Sequence, residues 1–271
     1  MAARWPPLGL AGGAMSSALN YGWRVAATGV SFATFGIGGL FLSMTVFPLI
    51  RLFSNGERRC YRTRRMIQKS FSSFVRMMEI LGIMRLEVRG AEKLRDCRDV
   101  LVLANHPTLI DVVVIVSLMP AASCVVKRAL FRNFFLRGVV QAADYISNSE
   151  SEALIDDCAA DLQRGHPLVI FPEGTRSVKN EPLHFQRGAA YIAMHSGKPV
   201  LPVLIYCDPP TLSKSEKWFQ IPARRFHVRV EVLDAISVKE WTDPAEAPTL
   251  AARRLTRNLE DFFTKELAAH G

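Results

Sequence analysis

His106 and Asp111 stand five residues apart in the stretch Asn105-His106-Pro107-Thr108-Leu109-Ile110-Asp111, directly after an almost wholly apolar run at residues 99–104. If that run is a strand, Pro107 suits the start of a following helix. Histidine and aspartate are then about one turn apart and can meet. A carboxylate on one ring nitrogen holds the imidazole in a single tautomer and stabilises its protonated form, leaving the other nitrogen as a general base. The partner for such a base is a hydroxyl, too weak a nucleophile without help. Taken alone, the spacing is a weak signal; the bland alternative is a helix-capping histidine and a solvent-facing aspartate.

A second stretch with chemical content also follows a buried run, at residues 167–171: Phe171-Pro172-Glu173-Gly174-Thr175-Arg176-Ser177. Gly174 allows close approach of the backbone to a ligand. Arg176 offers a planar fork suited to phosphate, and Thr175 and Ser177 add hydroxyl donors. Glu173 fits beside a phosphate only if it accepts from a substrate hydroxyl or holds Arg176 in place. The competing reading is a tight surface turn with an ordinary salt bridge.

The patterning around these stretches says what must position them. Strand-like runs at 85–89, 99–104, 123–126, 167–171, 199–206 and 226–233 alternate with helical stretches at 109–119, 129–140, 151–164, 188–196 and 245–269. Strands alternating with helices of this length indicate an α/β fold, a single domain over 80–271 with a largely parallel central sheet flanked by helices. Functional groups in such folds gather where strands end and helices begin.

Ahead of this domain, residues 25–50 carry no charge between Arg24 and Arg51. That length exceeds the roughly 20 residues needed to cross a bilayer as a helix. A membrane helix is one reading, a hairpin embedded in one leaflet the other. Residues 51–79 form a basic juxtamembrane helical region with Arg51, Arg58, Arg59, Arg62, Arg64, Arg65 and Lys69. Positive charge beside a membrane segment marks the cytoplasmic side, which places the domain on that face. Residues 1–24 are a tail, within which Met15 is an alternative start. The 271-residue chain has 34 Lys and Arg against 25 Asp and Glu, a net charge of +9 that favours acidic partners. No nucleic-acid motif accompanies the basic cluster, so anionic lipid is the expected partner and nucleic acid is not. The five cysteines are scattered, which argues against a disulfide framework or zinc site and for structural roles. Histidines 166, 184, 195, 227 and 270 lack an acid at matching spacing and are expected to be incidental.

The two motifs together are far more specific than either alone. With them the sequence resembles the glycerophospholipid acyltransferase family, whose best-known members are the 1-acyl-glycerol-3-phosphate acyltransferases (PlsC-like enzymes), over about residues 80–235. The resemblance implies that His106 is the base and Asp111 its partner, and that Glu173, Gly174, Thr175 and Arg176 bind the acceptor's phosphate. Lys127 begins the family's second block. Residues 186–190 and Pro202, in Val200-Leu201-Pro202-Val203, fit the later blocks, the last of which is associated with the acyl site. The second block departs from the pattern: where an arginine is usual, this chain reads Tyr145-Ile146-Ser147-Asn148-Ser149. The implied activity is transfer of a fatty acyl group from acyl-CoA or acyl-carrier protein to a lysophospholipid hydroxyl, with no metal, cofactor or covalent acyl-enzyme. The missing arginine keeps open a different acceptor, such as a lyso-aminolipid or a specialised hydroxylated lipid. A non-catalytic membrane scaffold is a third reading, disfavoured by the presence of both His106 and Asp111.

Overall fold

The computed structural model describes residues 17–148, 152–178, 181–214, 216–243 and 245–270. Most of the expected tail, Met15 included, and Ser149 of the second block lie outside them.

The chain opens with α1 (Ser17–Phe41), which passes through a π-helical turn at Leu42–Val46 into α2 (Phe47–Leu52). Two local causes meet at that turn. Ser43 and Thr45 bond back to the carbonyls of Gly39 and Phe41, and Pro48 has no N–H to give to the ladder. After a break, α3 (Gly56–Ile80) folds back along α1: Phe35 meets Phe71 and Phe74, and the Trp23 indole donates to the Leu81 carbonyl at 3.0 Å. The basic run is thus an amphipathic helix, which buries Cys60, Thr63, Arg64, Ile67, Val75 and Met78 at helical spacing.

The body follows in the order β1 (Met84–Arg89), α4 (Ala91–Arg95), β2 (Leu101–Ala104), α5 (Asp111–Leu118), β3 (Ser123–Val126), α6 (Arg137–Ala142), β4 (Ile146–Ser147), α7 (Glu152–Gln163), β5 (Leu168–Ile170), α8 (Arg187–Ser196), β6 (Val200–Asp208), β7 (Phe226–Val232) and α9 (Pro248–His270). The sheet has the order β1-β7-β6-β2-β5-β3-β4 and is parallel at every junction except β6 with β7. The expected α/β architecture is therefore the observed one. β2 is central and buried on both faces, which is why its sequence is a plain apolar run. Alternate residues feed two cores: Val102, Val169, Leu201 and Val203 pack under the N-terminal helices, α5 and α6, while Leu103, Leu168, Val200 and Leu204 pack under α7, α8 and α9.

Three elements differ from the sequence reading. The expected helix over 129–140 is broken into a 3-10 turn, Arg128–Arg132, and α6. The Asn133 side chain accepts from the amides of Phe135 and Leu136 at 3.0 and 3.1 Å, capping α6 and ending what precedes it. β4 is only two residues long and α4 only five, too short for any periodicity to mark them.

Candidate active site

Four neighbouring parallel strands, β2, β5, β3 and β4, end at the same edge of the sheet. Within a few residues of each strand end stands a site residue: His106 after β2, Glu173 to Arg176 after β5, Lys127 after β3 and Asn148 after β4. The motifs are far apart in the chain and become adjacent only because the strands are not in sequence order.

Asn105 sets the exit from β2. Its side-chain amide pairs with the backbone of Ile205 in β6, donating at 2.8 Å and accepting at 2.7 Å. His106 then turns so that its Nδ1 lies 2.8 Å from Asp111 Oδ2. Asp111, the first residue of α5, is completely buried and also accepts from the Thr108 amide at 2.7 Å and from the Thr108 hydroxyl. Burial pushes the Asp111 carboxyl up from its ordinary value, against the lowering pull of His106 and Thr108. With Nδ1 donating to this acceptor-rich carboxylate, Nε2 holds the lone pair. The ring rests on Phe171, centroids 4.4 Å apart, and lines a cleft of about 1170 Å³.

The second motif is laced to the first through Glu173. Its Oε1 accepts from the His106 amide at 2.8 Å and from the Ser177 hydroxyl at 2.9 Å, while the Ser177 amide donates to the His106 carbonyl at 2.8 Å. Burial raises the Glu173 carboxyl and the two donors oppose that rise. Glu173 makes no ion pair with Arg176 among the described residues, and one of its oxygens is taken up in holding the histidine segment. Gly174 has φ +67, a conformation that favours glycine and brings the turn against Gln186.

Arg176 lines the cleft with one arm of its fork engaged by the protein itself, whereas Pro202 is placed differently from expectation. Arg176 Nη1 donates to the carbonyls of Leu212 and Ser213, both at 2.7 Å. Leu212 sits at φ +53, an unfavourable conformation for a leucine, so Arg176 braces a strained turn with one arm of its fork. Pro202 is buried in β6 opposite Leu103 and does not line the cleft, because strand alternation puts it on the face away from α1. Lys127 and Thr175 do line it.

Five cations line the cleft: Arg24, Lys127, Arg176, Arg187 and Arg224. Arg24 donates to Asn20 and to the carbonyls of Pro222 and Ala223, and Arg224 pairs with Asp208 at 2.6 Å. Arg176 is braced as described. Lys127 and Arg187 have no side-chain partner among the described residues. Sequence reasoning gave Arg187 no role; it stands first in α8, directly after Gln186, whose amide donates to the Pro172 carbonyl at 2.8 Å. The position of the missing arginine is held by Asn148, whose Oδ1 accepts from the Arg128 amide at 3.0 Å.

Of the histidines expected to be incidental, His166, His195 and His227 each meet an acid, the last two Asp156 at 3.2 Å and Glu87 at 3.3 Å. His166 Nδ1 lies 2.8 Å from Asp161 Oδ1, in the reverse order along the chain, because Gly165 at φ +90 turns the end of α7 back on itself. This pair lies outside the cleft lining. The cysteines are poor nucleophiles: burial pushes the thiols of Cys124, Cys158 and Cys207 up to about 12. No group of three metal-ligating side chains occurs among the described residues.

Residues 85–206 match the family model described as Acyltransferase. Human 1-acyl-sn-glycerol-3-phosphate acyltransferase beta is 26% identical over 184 residues, covering 65% of this chain and 64% of that protein. The mouse alpha enzyme of the same name is 28% identical over 175 residues, covering 62% and 60%. The crystal structure of the 1-acyl-sn-glycerophosphate acyltransferase PlsC from Thermotoga maritima superposes with a TM-score of 0.63 at 19% identity, over 91% of this chain and 98% of that one, a likeness of fold. The likeness to the acyltransferase family thus rests on residues 85–206 and on relatives that share about a quarter of the aligned residues. The chain spans 60–64% of the length of these two curated relatives.

Proposed function

We propose that the protein is a membrane-bound O-acyltransferase that moves a fatty acyl group from acyl-CoA or acyl-carrier protein to the free hydroxyl of a lysophospholipid such as 1-acyl-glycerol 3-phosphate. The observation that carries this reading is the His106–Asp111 pair, whose ring lines a cleft that holds both apolar and cationic side chains. Nε2 takes the proton as the acceptor oxygen attacks the thioester carbonyl. The C–S bond then breaks and the leaving sulfur takes that proton back from the imidazolium. No step needs a metal or an acyl-enzyme.

The cleft suits two long chains, being larger than the roughly 300–1,000 Å³ of ordinary small-molecule sites. Its apolar wall includes Phe32 and Phe35 of α1 and Phe71 and Phe74 of α3. Leu19–Leu52 is long and apolar enough to cross a membrane. Yet α1 is fastened to the body from end to end, from Trp23 on Leu81 to Gly39 beside Phe135, Leu136 and Val139. We read the hairpin as lying in the leaflet rather than crossing it, so that the cleft takes its lipid sideways.

Lys127 and Arg187 are the receptors for the acceptor's phosphate in this reading, because neither has a side-chain partner among the described residues. Arg187→Ala is expected to raise the KM for 1-acyl-glycerol 3-phosphate roughly ten- to a hundredfold, the worth of one charge-assisted contact, with donor KM unchanged. Arg176→Ala should instead depress kcat and thermal stability as well, since it also releases the 211–213 turn. Initial rates against each substrate separate the two. A second reading is favoured by Asn148, which can hydrogen-bond but cannot neutralise a phosphate: a lyso-aminolipid or specialised hydroxylated acceptor. Assaying the purified chain with labelled donors against a panel of lyso-lipids decides between them, and no transfer to any acceptor would sink both.

A further inference from the structure

Two aromatic pairs stand exposed on separate loops, Phe134 and Phe135 before α6, and Trp218 and Phe219 between β6 and β7. Phe134 is 65% exposed and Trp218 47%. Both loops touch the same stripe of α1. Trp218 lies against Gly29 and Phe32, ring centroids 5.9 Å apart in the second contact, and Phe135 lies against Gly36. Residues 29, 32 and 36 follow helical spacing, so the two pairs are strung along one flank of α1, about 10 Å apart along its axis. The outer face of α1 beside them exposes Val30, Ile37 and Phe41. Exposed basic residues adjoin each pair: Arg132 and Arg137 around the first, and Lys217 before the second, its ammonium 5.7 Å from the Phe219 ring.

Aromatic rings beside basic residues are the chemistry of the membrane–water interface, where the ring enters the headgroup boundary and the cation meets anionic lipid. Exposed rings of this number are poorly suited to bulk water, and their continuity with an apolar helix gives them a common partner. We propose that these two loops are a second membrane-contact element of the catalytic domain, seated in the interface of an anionic bilayer alongside α1. They fix the roll of the domain about the α1 axis and so keep the cleft mouth facing the acyl chains. The proposal rests on the reading above that α1 is membrane-embedded.

The test uses the full chain, whose four tryptophans are Trp5, Trp23, Trp218 and Trp241. Three variants each retain one reporter, the other tryptophans being changed to phenylalanine: Trp23 on α1, Trp218 on the loop, and Trp241, packed on Phe262 of α9 against the opposite sheet face. Each is bound to phosphatidylglycerol–phosphatidylcholine vesicles containing lipid brominated on its acyl chains. Trp218 emission is expected to be quenched to the same degree as that of Trp23, and Trp241 emission to be unaffected. Quenching of Trp23 without Trp218 overturns the proposal and leaves the membrane reading intact; quenching of neither overturns both. Should the tryptophan changes impair folding, two variants that keep all other residues give the same decision. Phe134→Ala with Phe135→Ala, and Trp218→Ala with Phe219→Ala, should each weaken vesicle partitioning roughly tenfold. Unchanged partitioning in both pairs overturns the proposal.

Discussion

His106→Ala is expected to lower acyl transfer roughly 10²–10⁴-fold, the contribution of a positioned general base. The loss should fall on kcat and leave the KM values of donor and acceptor nearly unchanged, because the ring's reactive nitrogen acts on the hydroxyl proton rather than on the acyl chain or phosphate. The fold should survive. The backbone of residue 106 keeps its bonds to Glu173 and Ser177, and only the ring's contacts with Asp111 and Phe171 disappear. Asp111→Asn tests the second half of the pair. An asparagine can still accept from His106 and Thr108, so the geometry is retained while the charge that stabilises the imidazolium is lost. Turnover should drop severely with little change in thermal unfolding. Initial rates with a verified acceptor, with circular dichroism as the folding control, check both variants. Near-normal turnover in His106→Ala protein would remove His106 from the chemistry.

The second large effect is on stability, at a place that the chemistry does not use. Asp161→Ala is expected to destabilise the protein by about 3–5 kcal/mol, because it leaves a buried guanidinium uncompensated. Arg64 of α3 is 2% exposed; its Nε donates to the Ala143 carbonyl at 2.9 Å, and its Nη2 meets the Asp144 carbonyl at 3.2 Å and Asp161 at 3.4 Å. Asp161 is 3% exposed and also receives His166 and Arg164. The cluster fastens the N-terminal helices, through α3, to α7 and to the turn before β4. Burial pushes the Asp161 carboxyl up, but His166, Arg64 and Ser123 outweigh it and hold the carboxyl below its ordinary value. A group whose folded value is depressed stabilises above its unfolded value, near 3.9 for aspartate, and loses that contribution as pH falls through the folded value. The difference between wild type and Asp161→Ala should therefore be complete at pH 6–7 and shrink below about pH 4. Thermal unfolding in detergent should show a midpoint lower by roughly 10 °C at neutral pH. A double variant, Arg64→Met with Asp161→Leu, should recover much of the loss, since it removes both charges together. Equal stability of wild type and Asp161→Ala would show that Arg64 finds compensation elsewhere.

Most of the architecture was legible in the sequence because its signals are local. The apolar run of β2, the alternation of β7 and the amphipathic spacing of α3 and α9 each reflect which face is buried, and burial leaves a periodic mark. The break between the 3-10 turn and α6 left no such mark. Residues 129–140 are compatible with a continuous helix, and it is the Asn133 side chain bonding to Phe135 and Leu136 that stops one. The His166–Asp161 pair was missed for a related reason: the acid precedes the histidine and the contact depends on a glycine turn.

His106, Asp111 and the Glu173–Ser177 turn were legible in the sequence itself, because a histidine and a carboxylate one turn apart need only local geometry to meet. The tertiary structure decided what the other polar residues do. Strand order β2-β5-β3-β4 brings Lys127 and Asn148 to the edge that carries His106, though they lie 21 and 42 residues away in the chain. Arg176 reads as a phosphate ligand in sequence, but the fold places the carbonyls of Leu212 and Ser213 2.7 Å from its Nη1. Arg187 has only its place in the 186–190 block in sequence, but it is left in the cleft without a partner among the described residues. A charged side chain's role depends on which groups compete for it, and those competitors come from parts of the chain that sequence spacing does not relate.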